Sequence, residues 1–410
     1  MPRGPVGPRL QPWVQNRSCL VYILDGSAEL APYADVESCN MSDPKVLPPG
    51  KGVKAVNETA RYNSLHGGPW WLTQALRNAT GLLTSNLSEA CMVWLDMDCY
   101  NAAYMGLEGG AQERQRGLIR QMLDVLMGMP RFKLHQGRDF AVALTHLALR
   151  TTTWAPQFCS ESGLRRAYHV VSDLGLSSAD IDLSKPVVGS HRPKFMYMQA
   201  ACPKQGATQT AVGPRMRAAV AAQLDGLAPD LRLSCAGQSR SVSHSNMTRH
   251  LRQSVFCIVT PGETPSSAQL TESILAGCIP VFVGPPWHVM PLHRDVDWAG
   301  MGVFINITSD TPWLVANETA GGWQSQRSIE QQLRAGRQTA GVAGVQVNLP
   351  DLRAAYNFLR AMPQPEVERR QAALDRERYK FLYYPGPGGY SHLADIVLGN
   401  MLQYGAGLQS

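Results

Sequence analysis

Short apolar runs alternate with longer amphipathic stretches along most of this chain. Cys19–Leu24 (CLVYIL), Cys91–Leu95 (CMVWL) and Phe140–Leu144 (FAVAL) are unbroken apolar segments of strand length. That is the pattern of strands covered on both faces. Between them, Pro69–Leu82 predicts a helix, and Gln112–Met127 places Leu118, Ile119, Met122, Leu123 and Leu126 at helical spacing. His169–Ser172 and Asp182–Val188 end the first series. The alternation then restarts. Lys194–Met198 (KFMYM) predicts a strand, Val212–Leu224 a helix, Phe256–Val259 (FCIV) a strand, Ser267–Ala276 a helix and Ile279–Val283 (IPVFV) a strand. Residues 304–320 and 338–349 carry no clear period, whereas Asp351–Leu359, Pro365–Tyr379 and Ser391–Gln403 predict helices, the last set off by a break at Pro385–Gly389. Residues 1–15 read as a disordered tail and 25–60 as loops.

Strands alternating with helices build parallel sheets covered by helices. The expected fold is therefore α/β, with one Rossmann-like domain over residues 16–188 and a second over 189–384. Residues 385–410 are expected to form a helix that packs back on the first domain.

Composition narrows the function classes. The 410 residues leave room for two domains, and 44% hydrophobic against 17% charged residues excludes a disordered or coiled-coil chain. The net charge of +6 is spread out, with no run of five Lys or Arg. It suits a small anionic ligand and gives no sign of nucleic-acid binding. No segment reaches the roughly 18–20 apolar residues of a membrane span, and the N-terminus has no signal-peptide apolar stretch. Taken alone, that reads as cytoplasmic. The asparagines argue otherwise: eight of thirteen begin an N-x-Ser/Thr acceptor, namely Asn16, Asn40, Asn57, Asn78, Asn86, Asn246, Asn306 and Asn317. Nine cysteines, an odd number without any C-x-x-C, fit a disulfide-forming lumen or a set of buried thiols. With the sequons, the expectation is a lumenal protein whose anchor is absent from this chain. Cys257 and Cys278 start or precede neighbouring strands, and either a disulfide or two buried thiols fits them.

The segment Ser254–Pro291 carries the most chemistry: strand, loop, helix, strand. Its loop holds Gly262, Thr264, Ser266 and Ser267 just before a helix. Free N–H groups at a helix start, joined by hydroxyls, suit a phosphate. Glu272, about a turn into the helix, lies near the carboxyl edge of the sheet, where open α/β sheets bind ligands and where a carboxylate can meet a ribose. A tight turn with a hydroxyl N-cap is the structural alternative. Neither G-x-G-x-x-G nor a Walker lysine is present, which disfavours standard dinucleotide and P-loop sites.

Pro261–Val283 resembles the signature of the exostosin family of glycosyltransferases, of the plant and algal kind. Four further segments resemble the family in the right order: Cys19–Asp25, Glu89–Leu95, Met129–His146 (MPRFKLHQGRDFAVALTH) and Met290–Ile305 (MPLHRDVDWAGMGVFI). The resemblance implies a GT-B enzyme, two Rossmann-like domains facing a cleft, that inverts configuration without a catalytic metal. A UDP-sugar would be its donor substrate, with no other cofactor, and a glycan its acceptor. It further implies a Golgi lumenal setting with a type II membrane anchor, and a homo- or hetero-oligomer with another family member.

By that resemblance Gly262, Thr264, Ser266 and Ser267 cradle the diphosphate and Glu272 holds the ribose. Gln269 stands where the family usually has Arg, so Arg217 or its neighbour Arg215 is the expected substitute cation. The family's Gly-Arg-Asp-His is Gly137-Arg138-Asp139-Phe140 here, and Arg138 with Asp139 reads as a structural ion pair. His146 and Asp96, at strand ends, are the candidate bases for the acceptor hydroxyl. Two rivals follow: an inactive family member serving as partner or glycan-binding subunit, suggested by Gln269 and Phe140, and a metal-dependent enzyme using Asp96 and Asp98.

Overall fold

The computed structural model describes residues 9–15, 19–25, 68–79, 81–96, 124–144, 168–171, 186–200, 217, 220–224, 226–228, 230–235, 244–260, 268–283, 292, 295–307, 346–383 and 391–409. The chain divides into two compact units, Met1–Ser177 with Leu382–Ser410, and Ser178–Phe381. Each has its own sheet, and every strand pair is parallel.

In the first unit, α1 (Pro12–Gln15), β1 (Val21–Asp25), α2 (Gly68–Arg77), β2 (Met92–Asp96), α3 (Pro130–His135), β3 (Phe140–Leu144) and β4 (Tyr168–Val171) follow in chain order. The strands pair as β1-β2-β3-β4. β2 is buried along its whole length, as its uninterrupted apolar run requires. The Trp94 indole N–H donates to Thr73 Oγ1 (3.0 Å) and ties β2 to α2. Cys19 and Cys91 form a disulfide at a Cα separation of 5.3 Å, joining the segments that enter β1 and β2.

Two expectations are corrected in this unit. Asp139 pairs with Arg131 (Nε–Oδ2 2.6 Å), while Arg138 is exposed. Arg131 also donates to the Leu87 and Ala90 carbonyls. The helical turn from Pro130 brings Arg131 under the buried start of β3, so it reaches the carboxylate that adjacent Arg138 does not. The stretch read as a disordered tail instead holds a short helix, Pro12–Gln15. Leu10 and Val14 are fully buried, and the Gln11 N–H donates to Asp395 Oδ1 (2.8 Å). Asp395 opens the last helix, His392–Gln409, which packs on α1 and α2. Burial raises the Asp395 carboxyl to about 6, partly countered by the Gln11 hydrogen bond. A Cβ at Gly405 would stand 2.9 Å from Cys19 Sγ, so only glycine lets this helix approach so closely.

The second unit runs β5 (Lys194–Ala200), β6 (Leu231–Cys235), α4 (His244–Arg252), β7 (Ser254–Val259), α5 (Ala268–Leu275), β8 (Ile279–Val283), α6 (Trp298–Met301), β9 (Val303–Ile307), β10 (Gln346–Leu349), α7 (Leu352–Arg360) and α8 (Gln364–Glu377). Its strand order is β10-β9-β8-β7-β5-β6. The chain leaves β5 toward β6 on one side and returns to place β7 on the other. That reversal makes the carboxyl ends of β5 and β7 a topological switch point, where ligands of such sheets bind.

β9 and β10 correct the aperiodic reading of residues 304–320 and 338–349, and β6 was not foreseen. β6 (LRLSC) and β10 (QVNL) are edge strands that interleave polar residues and so lack a continuous apolar run. Asp297 caps α6 by accepting from the Gly300 N–H (2.8 Å), and Asp351 caps α7 through the Ala354 N–H (2.7 Å). Among the described residues, no helix is long and apolar enough to cross a membrane.

Candidate functional site

The segment β7–α5–β8 is held at both ends by identifiable chemistry. α5 ends in paired reverse hydrogen bonds: the Gly277 N–H donates to Ile274 O and the Cys278 N–H to Ser273 O, both 2.9 Å. Gly277 has φ +72°, the left-handed geometry such a cap needs. A Cβ there would meet Arg192 Nη2 at 2.7 Å. Arg192 donates to the carbonyls of Ser254 (2.8 Å) and Ala276 (3.1 Å), joining the starts of β7 and of the turn after α5. Burial lowers its guanidinium to about 10, with the Arg378 charge adding to the effect. Cys257 and Cys278 are bonded as a disulfide, Cα–Cα 5.7 Å, with both residues fully buried. Of the two alternatives open for this pair, the structure holds the disulfide.

At the switch point four elements converge. Thr260, fully buried, ends β7. Arg217 donates from Nε to Thr260 Oγ1 (3.2 Å), bringing a cation to the carboxyl edge. α5 supplies Gln269 and Glu272. β5 supplies Tyr197 and Gln199, with the Tyr197 O–H donating to Gln199 Oε1. Tyr197 stacks on His250 of α4 at 5.3 Å between ring centroids.

Glu272 is partly buried, and loss of solvent raises its carboxyl to about 7. Tyr197 is pushed well above its ordinary value, first by burial and then by the Glu272 charge, so the two groups act on each other. Gln269 is 7% exposed. Its Nε2 donates to the Ile258 carbonyl (3.0 Å), and its buried Oε1 has no hydrogen-bond partner among the described residues. It is neutral and tied back to β7, so it does not supply the charge of an arginine.

The arrangement offers a cation and a hydroxyl just past the carboxyl end of β7, and the next helix, α5, carries a carboxyl raised to about 7. Such a set suits a ligand with an anionic part and a hydroxyl-bearing part. Of the residues expected from sequence, Arg217 meets Thr260, Gln269 binds the Ile258 carbonyl, and Glu272 lies on α5. Gly262, Thr264, Ser266, Ser267 and Arg215 lie outside the described residues. Thr260, Tyr197 and Gln199 were missed: Thr260 and Gln199 each follow an apolar run, and Tyr197 sits inside one that reads as core.

In the first unit, Asp96 ends β2 and is 7% exposed. Arg77 Nη2 donates to its Oδ2 at 2.9 Å. Asp25 is its register partner at the end of β1. His146 and Asp98 lie outside the described residues. Among the described residues, no group of three His, Cys, Asp or Glu could hold a metal ion. Of the sequon asparagines, Asn78, Asn86 and Asn246 are exposed. Asn306 lies in β9 with its side chain outside the described set, and Asn16, Asn40, Asn57 and Asn317 lie outside it altogether.

The Exostosin GT47 domain matches residues 15–311. The chain is 33% identical over 64 residues to a "Probable beta-1,4-xylosyltransferase" of Arabidopsis thaliana, covering 16% of this chain and 15% of that protein. It is 40% identical over 57 residues to a "Probable xyloglucan galactosyltransferase" of Arabidopsis thaliana, covering 12% and 11%. Against Exostosin-1 of Drosophila melanogaster it is 33% identical over 64 residues, covering 16% and 8%. Each match thus spans under a fifth of the relative's length.

Proposed function

The chain belongs to the exostosin GT47 family, and from that premise we propose that it is a glycosyltransferase carrying a sugar from a UDP-sugar to a polysaccharide or glycoprotein glycan. The observation that carries this reading is the Arg217 guanidinium held on Thr260 just past the carboxyl end of β7, with Glu272 on the helix that follows. In this reading the fold is of the GT-B type. Ser178–Phe381 is the donor side, and the unit holding β1 to β4 is the acceptor side.

Arg217 and the start of α5 take the diphosphate, together with the expected Gly262, Thr264, Ser266, Ser267 and Arg215, and Glu272 accepts hydrogen bonds from the ribose. The acceptor hydroxyl oxygen attacks the anomeric carbon opposite the diphosphate, and configuration inverts. The bond to the β-phosphate oxygen breaks, UDP leaves with its electron pair, and the hydroxyl proton passes to a base. His146 or Asp96 takes that role, and Asp96 must then exchange its ion pair with Arg77 for the hydroxyl. The reaction so written requires no resident metal. The sequons and two buried disulfides support a Golgi-type lumenal setting.

The test is a panel of UDP-xylose, UDP-galactose and UDP-glucuronate with wall and glycosaminoglycan oligosaccharides. UDP release with one of these pairs is expected, and millimolar UDP should raise the melting temperature. No thermal shift and no release from any pair would sink the reading. A non-catalytic partner is the second reading, favoured by buried, neutral Gln269. UDP binding without turnover on any pair is its signature.

A further inference from the structure

The sequon asparagines sit in different surroundings. Asn246 lies within α4, and the Thr248 that completes its acceptor is only 4% exposed. Asn306 lies on β9, which pairs with β8 on one side and β10 on the other. Asn78 is exposed, and its Thr80 lies outside the described residues. Asn86 and its Ser88 are both exposed, in a turn between α2 and β2 that closes with the Glu89 N–H on the Asn86 carbonyl (3.1 Å). Among the described residues, this is the sequon that shows both of its recognised side chains to solvent.

The Asn86 amide has one defined direction. Its Oδ1 accepts from the Ser88 N–H (3.1 Å) and from the Ser88 hydroxyl (2.8 Å), and its Nδ2 donates to Glu89 Oε1 (2.9 Å). Turned over, the amide would set N–H against N–H and oxygen against carboxylate. Nδ2 carries two protons. Glu89 takes one, and the other has no partner among the described residues. Thr84 completes the cluster, accepting the Asn86 N–H (3.0 Å) and donating to Glu89 Oε2 (3.2 Å). These side chains bond no further than five residues along the chain, so they can exchange their partners without disturbing the sheet. The backbone of the turn is anchored separately, by Arg131 on the Leu87 carbonyl. Reaching the Thr248 hydroxyl, by contrast, requires α4 to open.

The turn also lies on the side of the sheet away from the candidate base. The Thr84 N–H donates to the Val21 carbonyl (3.1 Å) and the Cys91 N–H to the Leu20 carbonyl (2.8 Å), at the amino ends of β1 and β2. Asp96 ends β2 at the other edge, about 13 Å along the strand.

Resting on the lumenal setting proposed for this chain, we propose that Asn86 is a modification site that takes an N-linked oligosaccharide on the folded protein. The donor is an oligosaccharide joined to a lipid diphosphate. Asn86 Nδ2 attacks its anomeric carbon, and a C–N bond forms as the C–O bond to phosphate breaks. The lipid diphosphate leaves with the electron pair, and one Nδ2 proton passes to a base of the transferring enzyme. The product amide keeps one N–H for Glu89.

The experiment starts from the full chain made without glycans and with its disulfides formed. It is incubated, folded or reduced and denatured, with an oligosaccharyl-transferring enzyme and a lipid diphosphate-linked oligosaccharide. Glycopeptide mass spectrometry then reads the occupancy of each sequon. In the folded chain Asn86 should be modified, with Asn246 and Asn306 at least about tenfold less, because each first needs local unfolding. In the denatured chain that difference should vanish. Ser88→Ala should abolish the Asn86 signal, and Asn86→Gln should do the same if the alanine variant does not fold. An Asn86 that stays bare in the folded chain overturns the proposal, as does equal occupancy of Asn246 in that state. None of these outcomes touches the glycosyltransferase reading, which stands or falls on UDP binding and release.

Discussion

Nucleotide binding by this chain should depend steeply on pH, and Glu272 should be the reason. Burial raises its carboxyl to about 7, so near neutrality the free protein is a mixture of protonated and ionised forms. Only the ionised carboxylate accepts hydrogen bonds from both ribose hydroxyls. Binding therefore selects that form, and the apparent Kd is the intrinsic value divided by the ionised fraction. That fraction is about 0.9 at pH 8 and about 0.03 at pH 5.5, so UDP should bind about 30-fold more weakly at the lower pH. Titration calorimetry between these limits, in buffers of different ionisation enthalpy, would record both the affinity and the proton released. The terminal phosphate of UDP also titrates, near pH 6. Glu272→Gln separates the two effects: it keeps the shape, cannot ionise, and should retain only the phosphate's contribution. The ratio of wild-type to variant affinity then isolates the carboxyl. A ratio that stays constant from pH 5.5 to 8 refutes the reasoning. The same carboxyl acts on stability with the opposite slope. Its folded pKa lies above the ordinary carboxylate value, so its contribution is intact below about pH 4.5 and is lost as pH rises toward 7, by on the order of 3 kcal/mol. Nucleotide binding and fold stability should therefore move in opposite directions with pH in the wild type, and neither component should survive in Glu272→Gln.

Two predictions concern the scaffold. Arg131→Met leaves the Asp139 carboxylate buried without its cation and should cost about 3–5 kcal/mol. Urea unfolding monitored by tryptophan fluorescence would measure it, and a loss below about 1 kcal/mol, the level of an exposed ion pair, would contradict the role given to this pair. Gly277→Ala forces a Cβ onto a left-handed residue and against Arg192. It should destabilise by about 1–3 kcal/mol, read by thermal unfolding, and an alanine variant as stable as wild type would show that the cap after α5 relaxes freely.

What the sequence revealed and what it hid divide along physical lines. The runs at β2, β3, β7 and β8 were legible because a central parallel strand is covered on both faces and has no polar positions to confuse the pattern. The edge strands β6 and β10 were not, because each interleaves polar residues and reads as loop. The pairing of Asp139 was misplaced for another reason. Adjacency in sequence favoured Arg138, whereas a carboxylate at the start of a buried strand is reached from the helix beneath it, by Arg131.

The site shows the same division more sharply. Glu272 was legible because an acid in a helix that follows an apolar strand and a Gly/Ser/Thr loop has few structural uses. Tyr197 was hidden because KFMYM counts as a core strand, and a tyrosine inside one reads as apolar surface. Its hydroxyl acquires meaning only when the reversal of strand order at β5 puts it beside α5, two crossovers later in the chain. Gln269 belongs between these cases. The sequence marked it as a neutral residue where a cation was expected, but gave no direction to its amide. In the structure that amide binds the Ile258 carbonyl, so the nearest described charge at the edge is Arg217 on the hydroxyl of Thr260. Returning an arginine to position 269 would therefore place a second cation against a core carbonyl that accepts a neutral N–H today. On the proposed donor reading, the charge that Gln269 lacks is expected from Arg217.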